Sequence, residues 1–192
     1  MVPLEKGISE SMEYLDVLTE NGIYTGKKAS KSECHQKGIW HRSAYAFIIN
    51  SKNEVMLQIR SHLKKVEPNT IDITLGGHIL AGEFGIDALR REAKEELGIE
   101  IKEDDIKYLT CSTSENIDKE KNIINRQFNE YFVIFKDIQI ENILIQPEEV
   151  ERVLYFKKDE ILDKIRNHKE EMCVKDMAWK ILEMYYAKER SI

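Results

Sequence analysis

Glu83, Arg91, Glu92, Glu95 and Glu96 all fall within Gly77–Ile99, the segment GHILAGEFGIDALRREAKEELGI. Carboxylates crowded so closely repel one another unless a cation neutralises them. Ile86, Leu89, Ala93 and Leu97 are spaced 3, 4 and 4, which makes one helical stripe. At about 100° per residue, Glu92, Glu95 and Glu96 then share a neighbouring face. Such a cluster beside one arginine suits a hard, oxygen-seeking cation such as Mg²⁺ or Mn²⁺. The plain alternative is a surface helix decorated with charge. Upstream, Gly76-Gly77 lets the main chain come close to a metal or a phosphate. A substrate for this site carries a diphosphate, whose oxygens complete the cation's octahedral shell.

The segment resembles the Nudix box. That pattern is a glycine, five residues, Glu, seven residues, Arg-Glu, an apolar residue, any residue, Glu-Glu, any residue, Gly and an apolar residue. Gly77, Glu83, Arg91, Glu92, Ala93, Glu95, Glu96, Gly98 and Ile99 fill every position, with alanine where a larger aliphatic is commoner. The resemblance implies an α/β fold, an α/β/α sandwich with a mixed β-sheet. It implies a MutT-like pyrophosphohydrolase dependent on Mg²⁺ or Mn²⁺, attacking a nucleoside diphosphate derivative or related small diphosphate with water. By resemblance Glu92 and Glu96 are the main metal ligands, with Glu95 and the Gly77 carbonyl contributing. Arg91 pairs with a box carboxylate and orients it, and Glu83 is structural or lies outside the metal's own ligands. The box does not supply the general base. Glu92, Glu95, Glu130, Glu148 and Glu149 stay open for that role, and Glu130 carries a charge into the otherwise apolar run FNEYFVIF.

The likeness extends beyond the box, over roughly residues 12 to 157. Asp16, Asn21-Gly22, Thr25-Gly26, Glu33-Cys34-His35 and Gly38-Ile39-Trp40-His41-Arg42, with LQIRS at Leu57–Ser61, look like the Nudix hydrolases similar to isopentenyl diphosphate isomerase. Arg60 and Lys64 line up with that enzyme's diphosphate-binding basic residues, and His78 joins Gly76 and Gly77 in the expected substrate pocket. His35, His41 and His78 match its metal-binding histidines, one residue short in the first spacing. Glu130 matches one metal glutamate, but Phe128 stands where the other belongs and Gly76 where the catalytic cysteine belongs. Without that cysteine the isomerase chemistry is lost, and the intact box favours hydrolysis. A histidine cluster that binds a second metal and one that is merely hydrogen-bonded both stay open. A Nudix-fold protein that binds a phosphorylated ligand without turnover is the other alternative.

The elements that must position these residues follow from local pattern. Asn21-Gly22 marks a hairpin between Tyr14–Thr19 and Ile23–Thr25. Ser43–Ile49 and Val55–Arg60 form a second hairpin around Asn50–Asn53. A short strand is expected near Ile71–Leu75, then the box helix over Gly85–Leu97, ended by Gly98. Strands are expected near Ile106–Ser112, Gln127–Phe135 and Val153–Phe156, and helices over Asp159–Asn167 and Glu170–Lys188. The domain reading is one Nudix domain over 1–192, with a hairpin extension at 1–40 and C-terminal helices at 158–192. Met172, Met177, Ile181, Met184 and Tyr185 make an apolar stripe with Trp179 to one side, which suits core packing, a lid or a homodimer face.

Composition narrows the remaining classes. With 42% apolar and 33% charged residues and a net charge of −6, the chain suits a globular protein and not a binder of nucleic acid polymers. No apolar run approaches a membrane span. The start MVPLEKGISE lacks the pattern of a secretory leader. Cys34, Cys111 and Cys173 are widely spaced and read as reduced thiols of a cytoplasmic protein. Aromatics that could stack on a base, namely Trp40, Tyr45, Phe84, Tyr108 and Phe128, do not stand apart from core packing.

Overall fold

A computed structural model describes residues 13–120 and 122–188; the opening decapeptide discussed above lies outside them. Gly22, at φ 77°, turns the chain between β1 (Tyr14–Leu18) and β2 (Tyr24–Ser30). A helix unforeseen in the sequence follows, α1 (Lys31–Lys37). Ser30 caps it by accepting a 3.2 Å bond from the Glu33 amide, and Gly38 at φ 64° ends it. Both the Ser-x-x-Glu start and the glycine stop were available as signals.

The main sheet is seven-stranded and mixed. β3 (His41–Ile49) runs at its centre, parallel to β8 (Ile123–Phe135), which pairs antiparallel with β7 (Ile106–Asp118). On its other edge β3 changes partner. It meets β4 (Val55–Arg60) at Ile48–Ile49 and β6 (Leu75–His78) over Ser43–Ala46. β4 in turn pairs with β5 (Ile71–Asp72) and with β9 (Val150–Phe156). The single strand expected over Ile71–Leu75 is therefore two, and Thr74 between them explains the break. Its hydroxyl accepts from the Ile48 amide at 3.0 Å and donates to the Met56 carbonyl, so a side chain joins β3 to β4 where they diverge.

Helices cover both faces. Ala44, Ala46, Ile48, Phe132 and Ile134 face α2 (Gly85–Leu97), which buries Ala88, Leu89, Ala93 and Leu97. The box helix has the bounds read from the sequence, and Gly98 at φ 65° closes it. The alternate residues Phe47, Ile49, Tyr131 and Val133 face α3 (Lys158–Asn167) and α4 (Asp176–Lys188). On α4 the buried side is Ala178, Trp179, Ile181, Leu182 and Tyr186, whereas Met177 and Met184 are exposed. Trp179 is thus a core residue and not to one side. The helix expected from Glu170 is instead a single 3-10 turn over Lys169–Glu171, and α4 begins at Asp176, which changes the face it buries. No helix among the described residues is long and apolar enough to cross a membrane.

A buried ion triad locks the C-terminal segment to the sheet. Asp72 is 1% exposed and takes Lys175 Nζ at 2.6 and 2.8 Å and Arg60 Nη1 at 2.9 Å. Burial favours the neutral acid, but the charges of Lys175 and Arg60 outweigh it and hold the carboxyl below its usual range. Removing one partner of such a cluster leaves a buried charge undercompensated. Lys175→Met is expected to lower the unfolding free energy by about 3 kcal/mol in urea titration. A variant as stable as the wild type would show that Arg60 alone satisfies Asp72.

Candidate active site

Because β4 leaves β3, the outer edge of β6 has no strand beside it and opens on a cleft of about 340 Å³. Gly76, Gly77 and His78 form one wall of that cleft, and Glu92, Glu95 and Glu96 of α2 form another. Lys64, Glu149, Lys31 and Lys175 complete it. The N-terminal hairpin docks against the same loop, through the Gly82 amide on Asp16 Oδ2 at 2.8 Å and the bridge between Leu15 and Leu80.

Arg91 joins the box together. Its Nε lies 3.1 Å from Glu83 Oε1, its Nη1 lies 2.7 Å from Glu92 and 3.3 Å from Glu95, and its Nη2 donates to the His78 carbonyl at 2.9 Å. Glu83 also accepts from the Leu80 amide at 3.0 Å, so it fastens the loop and stands apart from the cleft. Gly77 has its Cα against the Glu92 carboxylate, which fills the space a side chain would need. A Cβ on Gly76 would come 2.6 Å from the Tyr45 ring. Glycine is required at both positions by close approach.

Glu96 is the most perturbed carboxylate. It is 8% exposed, and its Oε2 is buried without a hydrogen-bond partner among the described residues. Burial first, then the nearby charges of Glu92, Glu149 and Asp72, push its pKa up to about 8, with Lys175 opposing. Burial likewise raises Glu92, opposed by Arg91. An orphaned acid oxygen beside a second buried carboxylate fits a hard divalent cation. Glu92 and Glu96, with Glu95 at the exposed rim and the β6 backbone opposite, are the groups that could hold it.

Two expected site residues lie elsewhere. Arg60, expected on the diphosphate, is engaged by Asp72 and by the carbonyls of Val66 and Glu67, and it does not line the cleft. Glu130 lies on the α2 side of the sheet, packed at Gly85 and paired with Arg42 at 3.1 Å, also outside the cleft. Lys64 does line the cleft, paired with Glu149. Lys31 and Lys175 were missed: one sits on the unforeseen α1 and the other in a tail without a motif.

His35, His41 and His78 come together beside the cleft, with ring nitrogens within 4.8 Å of one another. His41 Nδ1 donates to the Ile39 carbonyl at 2.8 Å, and Gln127 Nε2 reaches Ser43 Oγ at 2.8 Å and the His78 ring at 3.3 Å. Burial lowers the pKa of all three imidazoles, His41 to about 4 and His78 well below the usual value. Phe128 packs on Trp40 and at Gly22.

With this geometry in hand, comparison with known proteins is direct. Residues 39–174 match the NUDIX domain model. The chain is 32% identical over 151 residues to Nudix hydrolase 3 of Arabidopsis thaliana, covering 77% of this chain but 20% of that protein. It is also 32% identical to Nudix hydrolases of Clostridium acetobutylicum and Listeria monocytogenes, spanning 72% and 83% of their lengths. Among solved structures, DR0079 of Deinococcus radiodurans superposes with a TM-score of 0.65 at 22% identity, covering 90% of this chain and 99% of that one. The NUDIX domain of Shewanella oneidensis NrtR, solved with ADP ribose, gives 0.56 at 15% identity, covering 85% and 100%. The family model and the Nudix hydrolase relatives place the chain among hydrolases acting on phosphoric anhydrides. The chain belongs to the NUDIX family.

The raised Glu96 has a thermodynamic signature. A carboxyl whose folded pKa exceeds its unfolded value contributes stability that is full below the unfolded value and is lost as pH rises through the folded one. In metal-free protein this loss spans pH 4.5 to about 8. From pH 6.5 to 9, above the histidine range, the Tm of the wild type is expected to fall by more than that of Glu96→Gln. A divalent cation should restore the wild type alone. Parallel curves would mean that Glu96 is solvated.

Proposed function

We propose that the protein is a divalent-metal-dependent pyrophosphohydrolase that opens the P–O–P bond of a nucleoside diphosphate derivative or related small diphosphate with water. The observation that carries this reading is the unpartnered, buried Glu96 oxygen beside Glu92, facing the glycine edge of β6. A bound Mg²⁺ or Mn²⁺ would neutralise the phosphates and acidify the attacking water. Glu92 and Glu96 would hold it, with Glu95 and the Gly77 main chain assisting. Arg91 keeps Glu92 in position through its 2.7 Å bond. Gly76, Gly77 and His78 leave room for the phosphates, and Lys64 and Lys175, paired with Glu149 and Asp72, line the same cleft.

For the proton acceptor, Glu92, Glu95 and Glu149 line the cleft, and Glu149 is near enough for its charge to raise Glu96. Glu130, engaged by Arg42 outside the cleft, is not favoured. The same placement argues against the isomerase reading: Glu130 lies on the sheet face opposite His41, and Gly76 offers no acid or base.

The reading is tested by monophosphate release from nucleoside diphosphates, nucleotide sugars, dinucleotides and isopentenyl diphosphate, with Mg²⁺, Mn²⁺ or a chelator. Metal-dependent release from at least one member is expected, and Glu96→Gln should lower kcat by about 10³-fold. Gly77→Ala, which displaces the Glu92 carboxylate, should cost about 10²-fold. Silence across the panel, with metal-dependent stabilisation by one compound, would instead identify a phospholigand-binding protein.

A further inference from the structure

One face of β8 changes character along its length. Val133 and Tyr131 belong to the core under α3 and α4, whereas Asn129, Gln127 and Asn125, in the same alternation, carry carboxamides. Across the ladder they stand opposite Ser112, Ser114 and Asn116 of β7. This polar tiling is not left to open solvent. The lead-in and first turn of α4 and the Val66-Glu67 loop wall a groove of about 580 Å³ over it, a size suited to a small-molecule moiety.

The hydrogen-bond inventory of the groove is lopsided. Asn129 is 3% exposed; its Nδ2 donates to Ser114 Oγ at 2.9 Å, and its Oδ1 has no partner among the described residues. Asn125 Oδ1 is buried and unpartnered in the same way. Gln127 Nε2 is engaged by Ser43, Arg60 and Lys175 by Asp72, and Glu67 by Cys173 and the Val174 amide. What the groove offers a ligand is the carbonyl acceptors of Asn129 and Asn125, with the exposed Lys180 at its wall, beside the stacked pair of Tyr45 and Tyr131 at 5.6 Å. Tyr45 and Lys175 line this groove and the carboxylate cleft alike, so the two adjoin.

We propose that the groove binds the non-phosphate part of the substrate, and that this part is uncharged and rich in hydroxyl groups, a sugar or polyol. The proposal rests on the hydrolase reading for the phosphate end. Hydroxyl donors satisfy the carbonyls of Asn129 and Asn125. An isoprenoid tail would leave both carbonyls unmet, and a further phosphate, which carries no donor when ionised, would leave them unmet as well.

Calorimetric titration of the full chain with Ca²⁺ in place of Mg²⁺ tests this without requiring turnover. The probes are UDP-glucose, ADP-ribose, isopentenyl diphosphate and inorganic diphosphate. At least one sugar-linked probe is expected to bind about tenfold tighter than isopentenyl diphosphate, the equivalent of one well-made hydrogen bond. Asn129→Leu and, at the less buried tip of the hairpin, Asn125→Ala should each remove most of that preference. The inference is overturned if isopentenyl diphosphate binds as tightly as the sugars, if none of the probes binds, or if both variants keep the preference. A protein that discriminates in Ca²⁺ yet turns over nothing in Mg²⁺ would keep the groove and sink the hydrolase reading. An active enzyme whose selectivity ignores both variants would do the reverse.

Discussion

Arg91 is the constraint on which the site depends. One guanidinium reaches Glu83, Glu92 and Glu95 and the His78 carbonyl, so it ties the box helix, the loop before it and the edge of β6 into one unit. Only a planar fork with several donors can do this; a lysine at the same place would satisfy one partner at a time. Without it, Glu83 and Glu92 would repel, and α2 would lose its polar attachment to the strand it faces. Burial of Glu96 follows from that attachment, because the apolar stripe of Leu89, Ala93 and Leu97 and the Arg91 clasp fix the rotation of the helix from two sides.

The sheet supplies the opening into which this unit projects. β3 has two partners on one edge, and Thr74 joins β3 to β4 at the point where they part. β6 then has a free edge made of glycines, and the side-chain positions of Gly76 and Gly77 are filled from outside by the Tyr45 ring and the Glu92 carboxylate. The glycines are therefore packing requirements as much as access for a ligand. Neither Gly76 nor Gly77 has a positive φ, so conformational freedom is not what selects them.

The sequence made the box helix and the first two hairpins legible, because their signals are local: an apolar stripe ended by Gly98, and the Asn21-Gly22 and Asn50–Asn53 turns. Strand lengths were less legible. β7 and β8 run to Asp118 and from Ile123, well past the apolar runs, because their outer halves carry the polar face of the groove. Residue roles that depend on non-local pairing were not legible. Nothing near Arg60 in sequence announces that Asp72 and Lys175 claim it, and nothing in FNEYFVIF shows that Glu130 points to Arg42. Lys175 escaped notice for the same reason, since it enters the cleft only because the C-terminal segment folds back over β5, where Cys173 donates to the Ile71 carbonyl.

The charge pattern of the cleft says why cations other than lysine matter there. Each ammonium at its wall already has an acid: Lys31 has Glu13, Lys64 has Glu149, and Lys175 has Asp72. Glu92 and Glu95 share one guanidinium with Glu83, and Glu96 Oε2 has no partner among the described residues. In the metal-free protein the excess is relieved by a proton, which burial and the neighbouring carboxylates hold on Glu96 up to about pH 8. A diphosphate brings more negative charge into the same space and cannot be met by ammonium groups that are already paired. Glu92 and Glu96 would give up that proton on holding a divalent cation, which would supply the phosphates with an unshared positive charge. Metal and substrate are on this account mutually dependent, each making the cleft tolerable for the other.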